Sequence, residues 1–397
     1  LRQRGWWPTL AALLLGLAWV FNVPVVSGLS DPYGNWHPDE VSHVLTTRWW
    51  AEHFCLPTYN SDYAVSVHPA FYHIVGALFW KLGGALAVRI FSALTGAATV
   101  WFTFRAARAL YGRQVGELAA WLVALVPMRA SLSGGINNEN LAALAATAAL
   151  AVLAELLRGR RRRTLELALW CAVGVGSKLT CLGLFPAIFL AVGWRFGWLR
   201  AFKTTLVALL TTLVSMGWWF VGNISRCGDA LCKETSDKLW DVAQPGYLHY
   251  KATRGFSPPR YLFSIAAFGW RSFWGTFDGL QKHLPMPLFL TLMVWQAAAL
   301  WGAWQRGKRA RRVRQAWLLA VLVLMSTTTL IYILYNWRHY TPQGRYFYVM
   351  LAPFGAISGY GFLALLPPAR RRGAAHGLVI TLAALNLWCL WYYRPGN

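Results

Sequence analysis

The chain has 397 residues, of which 57% are hydrophobic, 15% aromatic and only 13% charged. A soluble domain carries about 25% charged residues, so a water-soluble globular fold is excluded, and so is a disordered chain. The net charge of +24 does not make a nucleic-acid binder, because the basic residues interrupt long apolar runs of the length that spans a bilayer, about 20 residues.

Charge placement gives each loop a side. Six basic clusters hold more than half of the lysines and arginines: Arg2/Arg4, Arg105/Arg108/Arg113, Arg158 with Arg160 to Arg163, Arg195/Arg200/Lys203, Arg306 to Arg314, and Arg370 to Arg372. Cations beside short loops stay cytoplasmic. Only Glu117, Glu155 and Glu166 lie near them; the other acids, and every histidine except His376, fall in the intervening loops. The spans then run 7–27, 85–104, 115–133, 141–157, 165–177, 180–194, 204–222, 286–304, 316–335, 347–366 and 376–393. The first lacks a small-residue cleavage site and reads as a retained span. Parity makes 68–82 an interfacial helix on the outer face. It also forces 165–194 to go out and back, since one helix there would measure roughly 45 Å against a core of about 30 Å. The turn falls near Gly176-Ser177-Lys178.

The expected architecture is an all-α polytopic membrane protein. It has about eleven transmembrane helices, the N-terminus in and the C-terminus out, and interfacial helices in two long outer loops, 28–84 and 223–285. The chain reads as one membrane-embedded domain: a core over 1–222, the long outer loop, and C-terminal helices over 286–397. Cys171, Cys181 and Cys389 are small apolar residues within spans. Cys227 and Cys232 suit a local disulfide if their loop faces an oxidising compartment.

Three outer-loop constellations carry chemistry. In Asn35-Trp-His-Pro-Asp39-Glu40-Val-Ser-His43, Pro38 starts a helix whose first turn favours acids, with Asp39 and His43 on one face. The pair Asp39 and Glu40 is either a helix cap or a catalytic carboxylate set, with His43 in support. In Gly134-Gly-Ile-Asn137-Asn138-Glu139-Asn140 the glycines and amides turn the chain and cap the next helix, and Glu139 either completes that turn or faces the same cavity. In Tyr340-Thr-Pro-Gln343-Gly344-Arg345-Tyr346 an arginine opens a span from the outer side. Its planar fork suits a phosphate, aided by helix N-terminal N–H groups and by a backbone that Gly344 lets a ligand approach; the alternative is snorkelling to lipid headgroups. Lys178, a lone ammonium between apolar legs, is a functional candidate for its intramembrane charge. Arg271, in Trp270-Arg-Ser-Phe-Trp274, is a weaker one.

In order and sidedness these motifs resemble the GT-C superfamily of polyprenyl-phosphate-dependent glycosyltransferases, with distant similarity to protein O-mannosyltransferases and aminoarabinose transferases. Asp39-Glu40 looks like the first-loop acidic motif, and His68-Pro-Ala-Phe-Tyr72-His73 like the Pro-aromatic element after it. Ala87-Val-Arg89 to Gly112 is similar to the second span and its cytoplasmic exit, and Gly176-Ser-Lys178 to the lysine of the paired short helices. Gln343-Gly-Arg345-Tyr and Ser272-Phe-Trp-Gly-Thr-Phe277 resemble a bacterial branch of membrane glycosyltransferases. The resemblance implies inverting transfer of a sugar from a polyprenyl-phosphate donor to a hydroxyl on a protein, lipid or glycan, at the outer face of the bacterial plasma membrane. It implies a carboxylate base at Asp39 or Glu40, with Asp39 favoured, and phosphate contacts from Arg345, Lys178, Arg271 and His68. His68 stands where such members often carry a basic residue, and serves as a cation only if protonated. No nucleotide loop is present and no cofactor is required. Asp39, Glu40, His43 and Glu139 have the donor atoms of a divalent-ion site, but metal is not expected. Two other classes fit the same apolar frame: a flippase of lipid-linked saccharides, which inverted repeats would favour, and a membrane O-acyltransferase using His43 or His339.

Overall fold

The apolar runs fold as helices from end to end in the computed structural model, which describes residues 5–26, 36–60, 62–159, 163–307 and 311–395. Arg2, Arg4, Asn35, Arg160 to Arg162, Lys308 and Arg309 lie outside the described residues. The helices are α1 (Trp6–Asn22), α2 (Glu40–His53), α3 (Phe71–Tyr111), α4 (Arg113–Ala124), α5 (Pro127–Leu132), α6 (Glu139–Leu157), α7 (Thr164–Ser177) and α8 (Leu184–Phe196). They continue as α9 (Trp198–Cys227), α10 (Lys233–Ala243), α11 (Tyr247–Arg254), α12 (Pro258–Trp274), α13 (Met286–Gly307), α14 (Arg312–Arg338), α15 (Leu351–Ala364) and α16 (Arg371–Tyr392). A two-stranded hairpin, β1 (Thr276–Phe277) with β2 (Lys282–His283), follows α12.

Eight helical segments among the described residues are long and apolar enough to cross a membrane. The shorter apolar helices α1 and α7 and the broken pair α4–α5 occupy the other three expected spans. The chain is thus a multi-pass membrane protein. The break at Leu125–Val126 precedes Pro127, which opens α5; a residue before proline is pushed out of the helical region. The paired short legs also form as expected. α7 stops at Ser177, Lys178 is extended (φ −159°, ψ 131°), and a 3-10 turn Leu179–Gly183 leads into α8.

α6 is the axis of the bundle. Every residue from Glu139 to Leu157 is buried, and its alternating alanines and leucines let α3 and α7 approach closely, the small-residue packing that membrane helices use in place of a hydrophobic drive. The two long loops carry helices as expected: α2 in the first, and α10, α11 and α12 in the second, where Cys227 and Cys232 form a disulfide.

The interfacial leg of α3 is set off by a kink at Gly83 and Gly84, so that 71–82 and 85–111 run in different directions. Gly84 sits at φ 60°, ψ −152°, a region that only glycine populates at low cost. Gly84→Ala should therefore lose about 1–3 kcal/mol, read as a lower thermal unfolding midpoint in detergent. Gly217→Ala, within α9 where a methyl group finds only ordinary contact, should leave the midpoint unchanged or raise it.

Candidate active site

The two adjacent carboxylates of the first loop point to different places because of one backbone residue. Asp39 precedes α2 in the left-handed region (φ 64°, ψ 9°) and makes no side-chain cap to the helix. It is therefore not a residue on the helical face of His43, contrary to the i, i+4 expectation; the link between the two is a backbone bond from the His43 N–H to the Asp39 carbonyl at 3.1 Å. The simple capping reading of the pair also fails.

Glu40, the first residue of α2, turns inward and is fully buried. Arg89 of α3, also fully buried, donates to it through Nε at 2.8 Å and Nη2 at 2.9 Å. The Ile136 N–H adds a bond at 2.8 Å, and His37 Nδ1 stands 2.9 Å away. Arg89 Nη1 donates to the Val23 carbonyl at 2.6 Å. Burial alone would raise the Glu40 carboxyl, but His37 and Arg89 overcome this and hold it at about 2. With its oxygens so occupied, Glu40 is a strut tying α2 to α3 and to the 134–138 loop, not a group facing a ligand.

Asp39 faces the other way, 43% exposed, onto the guanidinium of Arg345. Arg345 donates through Nη2 to Asp39 and through Nη1 to the Pro38 carbonyl at 3.1 Å, and its Nε lies 3.5 Å from Glu139. Glu139 accepts from Lys178 Nζ, and the ammonium sits 4.5 Å from the centre of the Tyr346 ring, a cation–π distance. Lys178 is thus not the lone charge expected of it. Four charged groups from four distant stretches form one alternating chain, Asp39–Arg345–Glu139–Lys178, whose charges cancel. His68, partly buried beside it, is pushed down to about 4 by burial and by Lys178 against the opposing pull of Glu139 and Asp39. In this arrangement it is neutral at pH 7. His43 is likewise held well below its ordinary value, by burial first and then by His73 and the nearby cations. It stacks on His73 at 5.2 Å, and Thr47 Oγ1 lies 3.0 Å from His73 Nδ1.

Two expectations about the third constellation need correction. Gly344 opens a 3-10 turn, Gly344–Met350, rather than an α-helix. Its N–H donates to Ser272 Oγ at 2.8 Å, and a Cβ there would meet the Gly269 carbonyl oxygen at 2.2 Å. The glycine admits α12, not a ligand, and that N–H is already used; Ser272 of the 272–277 motif is its acceptor. Arg271 does not join the cluster: its guanidinium lies 5.3 Å from the centre of the Phe289 ring. The sequence motifs assign no role to Arg89, which holds Glu40, or to Arg129. Arg129 of α5 is buried, and neither Nη has a hydrogen-bond partner among the described residues. A charge inside an apolar span was the available signal for both. Among the described residues no three His, Cys, Asp or Glu groups come together as a metal ligand set.

The fold is a GT-C-like bundle of helices, as the comparisons bear out. The family described as dolichyl-phosphate-mannose-protein mannosyltransferase matches residues 67–219, less than half of the chain. ArnT from Cupriavidus metallidurans bound to undecaprenyl phosphate is similar in structure, with a TM-score of 0.62 and 16% identity over 96% of this chain and 64% of that one. Its apo state gives 0.60 and 17% over the same shares. The Archaeoglobus fulgidus oligosaccharyltransferase in complex with Zn and sulfate gives 0.55 and 14%, covering 96% of this chain and 52% of that one. The chain thus spans less than two thirds of the length of these structures. No curated protein matches the sequence.

The Glu40–Arg89 pair makes two predictions. Removing one partner of a buried ion pair costs roughly 3–5 kcal/mol, so Arg89→Ala should unfold far more readily than Asp39→Asn in a detergent melting assay. Because the folded Glu40 carboxyl lies at about 2 against the usual 4.5, its stabilisation is complete above pH 4.5 and is lost as pH falls through 2. The gain is on the order of 3 kcal/mol. The acid arm of a stability–pH profile should flatten by that amount in Arg89→Ala/Glu40→Gln.

Proposed function

We propose that the chain is an inverting glycosyltransferase that moves a sugar from a polyprenyl-phosphate donor to a hydroxyl acceptor. The observation that carries this reading is the Asp39–Arg345–Glu139–Lys178 chain, in which a half-exposed carboxylate meets an arginine fork and a second cation. The fold supports it, because ArnT of the same fold is described as binding undecaprenyl phosphate.

In this reading the donor phosphate takes the fork of Arg345 and the ammonium of Lys178, both suited to phosphate oxygens. A phosphate on Arg345 competes with Asp39 for the same Nη2, so donor binding releases the carboxylate beside the sugar. Asp39 then accepts the proton of the acceptor hydroxyl. The acceptor oxygen forms its bond to the anomeric carbon from the face opposite the phosphate, and the C–O bond to phosphate breaks with inversion. The electron pair leaves on polyprenyl phosphate, whose charge the two cations stabilise. Glu139 orients both cations, and Glu40 holds Asp39 in place without touching substrate. The acceptor is a protein, lipid or glycan hydroxyl, and no cofactor or metal enters the steps.

The site belongs on the outer face of the plasma membrane, N-terminus in and C-terminus out. The basic clusters at the other helix ends support this, and so does the Cys227–Cys232 disulfide in a loop on the side of Asp39.

Purified protein given a short-chain polyprenyl-phosphate sugar and an acceptor should release polyprenyl phosphate. Asp39→Asn should slow release roughly 100-fold or more with donor affinity retained. Arg345→Ala should lower affinity and turnover together, and Arg345→Lys should recover part of both. Transport of intact lipid-linked sugar without release would identify a flippase instead. Unchanged affinity for a non-transferable analogue in Arg345→Ala would return that residue to headgroup anchoring.

A further inference from the structure

The opposite ends of the same helices carry a second polar site. α3, α6 and α7 converge around a cavity of about 830 Å³ lined by Arg105, Arg108, Arg158, Arg163, Glu155 and Glu166, with Trp101 and Phe104 along one wall. α6 runs from Glu139 in the Asp39 cluster to Glu155 in the cavity lining, so at 1.5 Å per residue the two lie about 24 Å apart along the helix. It therefore stands independently of the glycosyltransferase reading.

A topogenic anchor needs positive charge and nothing more. Here two carboxylates fix two of the arginines in shape. Arg105 donates to Glu155 at 3.1 and 3.2 Å, and Arg163 reaches Glu155 at 3.0 Å and Glu166 at 2.8 Å. Arg158 donates from Nη1 to the Ala109 carbonyl at 2.6 Å and has no carboxylate partner among the described residues. Arg108 has no carboxylate partner among the described residues; its guanidinium lies 5.8 Å from the centre of the Phe104 ring. The described lining therefore holds four arginines against two glutamates. Two pre-shaped guanidinium groups and two without a carboxylate partner among the described residues share one volume. That volume is the size of a small-molecule site, and planar forks at a concave surface suit phosphate. Basic pockets between membrane helices on the cytoplasmic side take lipid headgroups. Beside the cavity α7 presents Leu165 and Leu169, 61% and 52% exposed, on the same side of the helix four residues apart. A membrane-spanning helix offers such leucines to acyl chains, which a lipid has and a free anion lacks.

We propose that this cavity binds the phosphate headgroup of an anionic phospholipid, with an acyl chain along Leu165 and Leu169. The test is native mass spectrometry of the full chain in detergent, titrated with phosphatidylglycerol and with phosphatidylcholine of the same acyl chains. Phosphatidylglycerol should bind at least about tenfold more tightly. Arg108→Ala/Arg158→Ala, at two exposed positions, should weaken it roughly 30-fold, at about fivefold per arginine. Arg108→Lys/Arg158→Lys should fall between the two and serves if the alanine pair does not fold. Arg370→Ala/Arg372→Ala removes equal charge from exposed positions outside the cavity and should change nothing. An undiminished affinity in the cavity variants, or an equal loss in the Arg370/Arg372 pair, overturns the proposal. Displacement by inorganic phosphate at equal concentration assigns the cavity to a free anion and overturns the lipid assignment.

Discussion

The structure around the Asp39 cluster depends on the buried bond between Glu40 and Arg89. Both groups are sealed from water, where an unpaired charge is prohibitive, and a pair is tolerated only if its remaining lone pairs and protons are met. They are met here by the Ile136 N–H, His37 and the Val23 carbonyl. The bond thereby joins the end of α1, the start of α2, the middle of α3 and the turn before α6. A hydrophobic pair of the same volume would fill the space without fixing these four segments in register. The left-handed turn at Asp39 then follows, since with Glu40 anchored inward the preceding carboxylate is delivered outward to Arg345.

From that placement comes the charge balance of the site. Asp39, Glu139, Lys178 and Arg345 sum to zero, and the neutral His68 adds nothing. In the proposed reaction a donor phosphate would be a better-matched partner for the arginine fork than one oxygen of Asp39, and the exchange would free the carboxylate beside the sugar. Lys178 owes its position to the extended break between α7 and the following 3-10 turn.

Much of this was legible in the sequence for a physical reason. Span length and charge asymmetry are imposed by the bilayer, so the helix positions, the separate first leg of α3 and the break at Lys178 could be read from composition and parity. The gathering of Asp39, Glu139, Lys178 and Arg345 on one side also followed from sidedness. Their pairing did not, because it depends on side-chain direction. Asp39 and Glu40 are neighbours with identical chemistry, and what separates them, the left-handed backbone at Asp39 and the buried Arg89 that takes Glu40 from 49 residues on, is not local to the motif. Gly344 looked like a ligand-facing glycine because close approach by a ligand and by a helix leave the same mark on a sequence; α12 proved to be what it admits. Arg271 looked basic and outer-facing, yet stacks on Phe289, since nothing local fixes which way a long side chain turns.

The most direct measurement is a structure of the chain with a non-transferable polyprenyl-phosphate sugar bound. The account predicts the phosphate between Arg345 and Lys178, Asp39 detached from the guanidinium and facing the anomeric carbon, and Glu40 still on Arg89. A phosphate seated away from Arg345 and Lys178, or a Glu40 carboxylate turned to the sugar while Asp39 keeps its arginine, would contradict it.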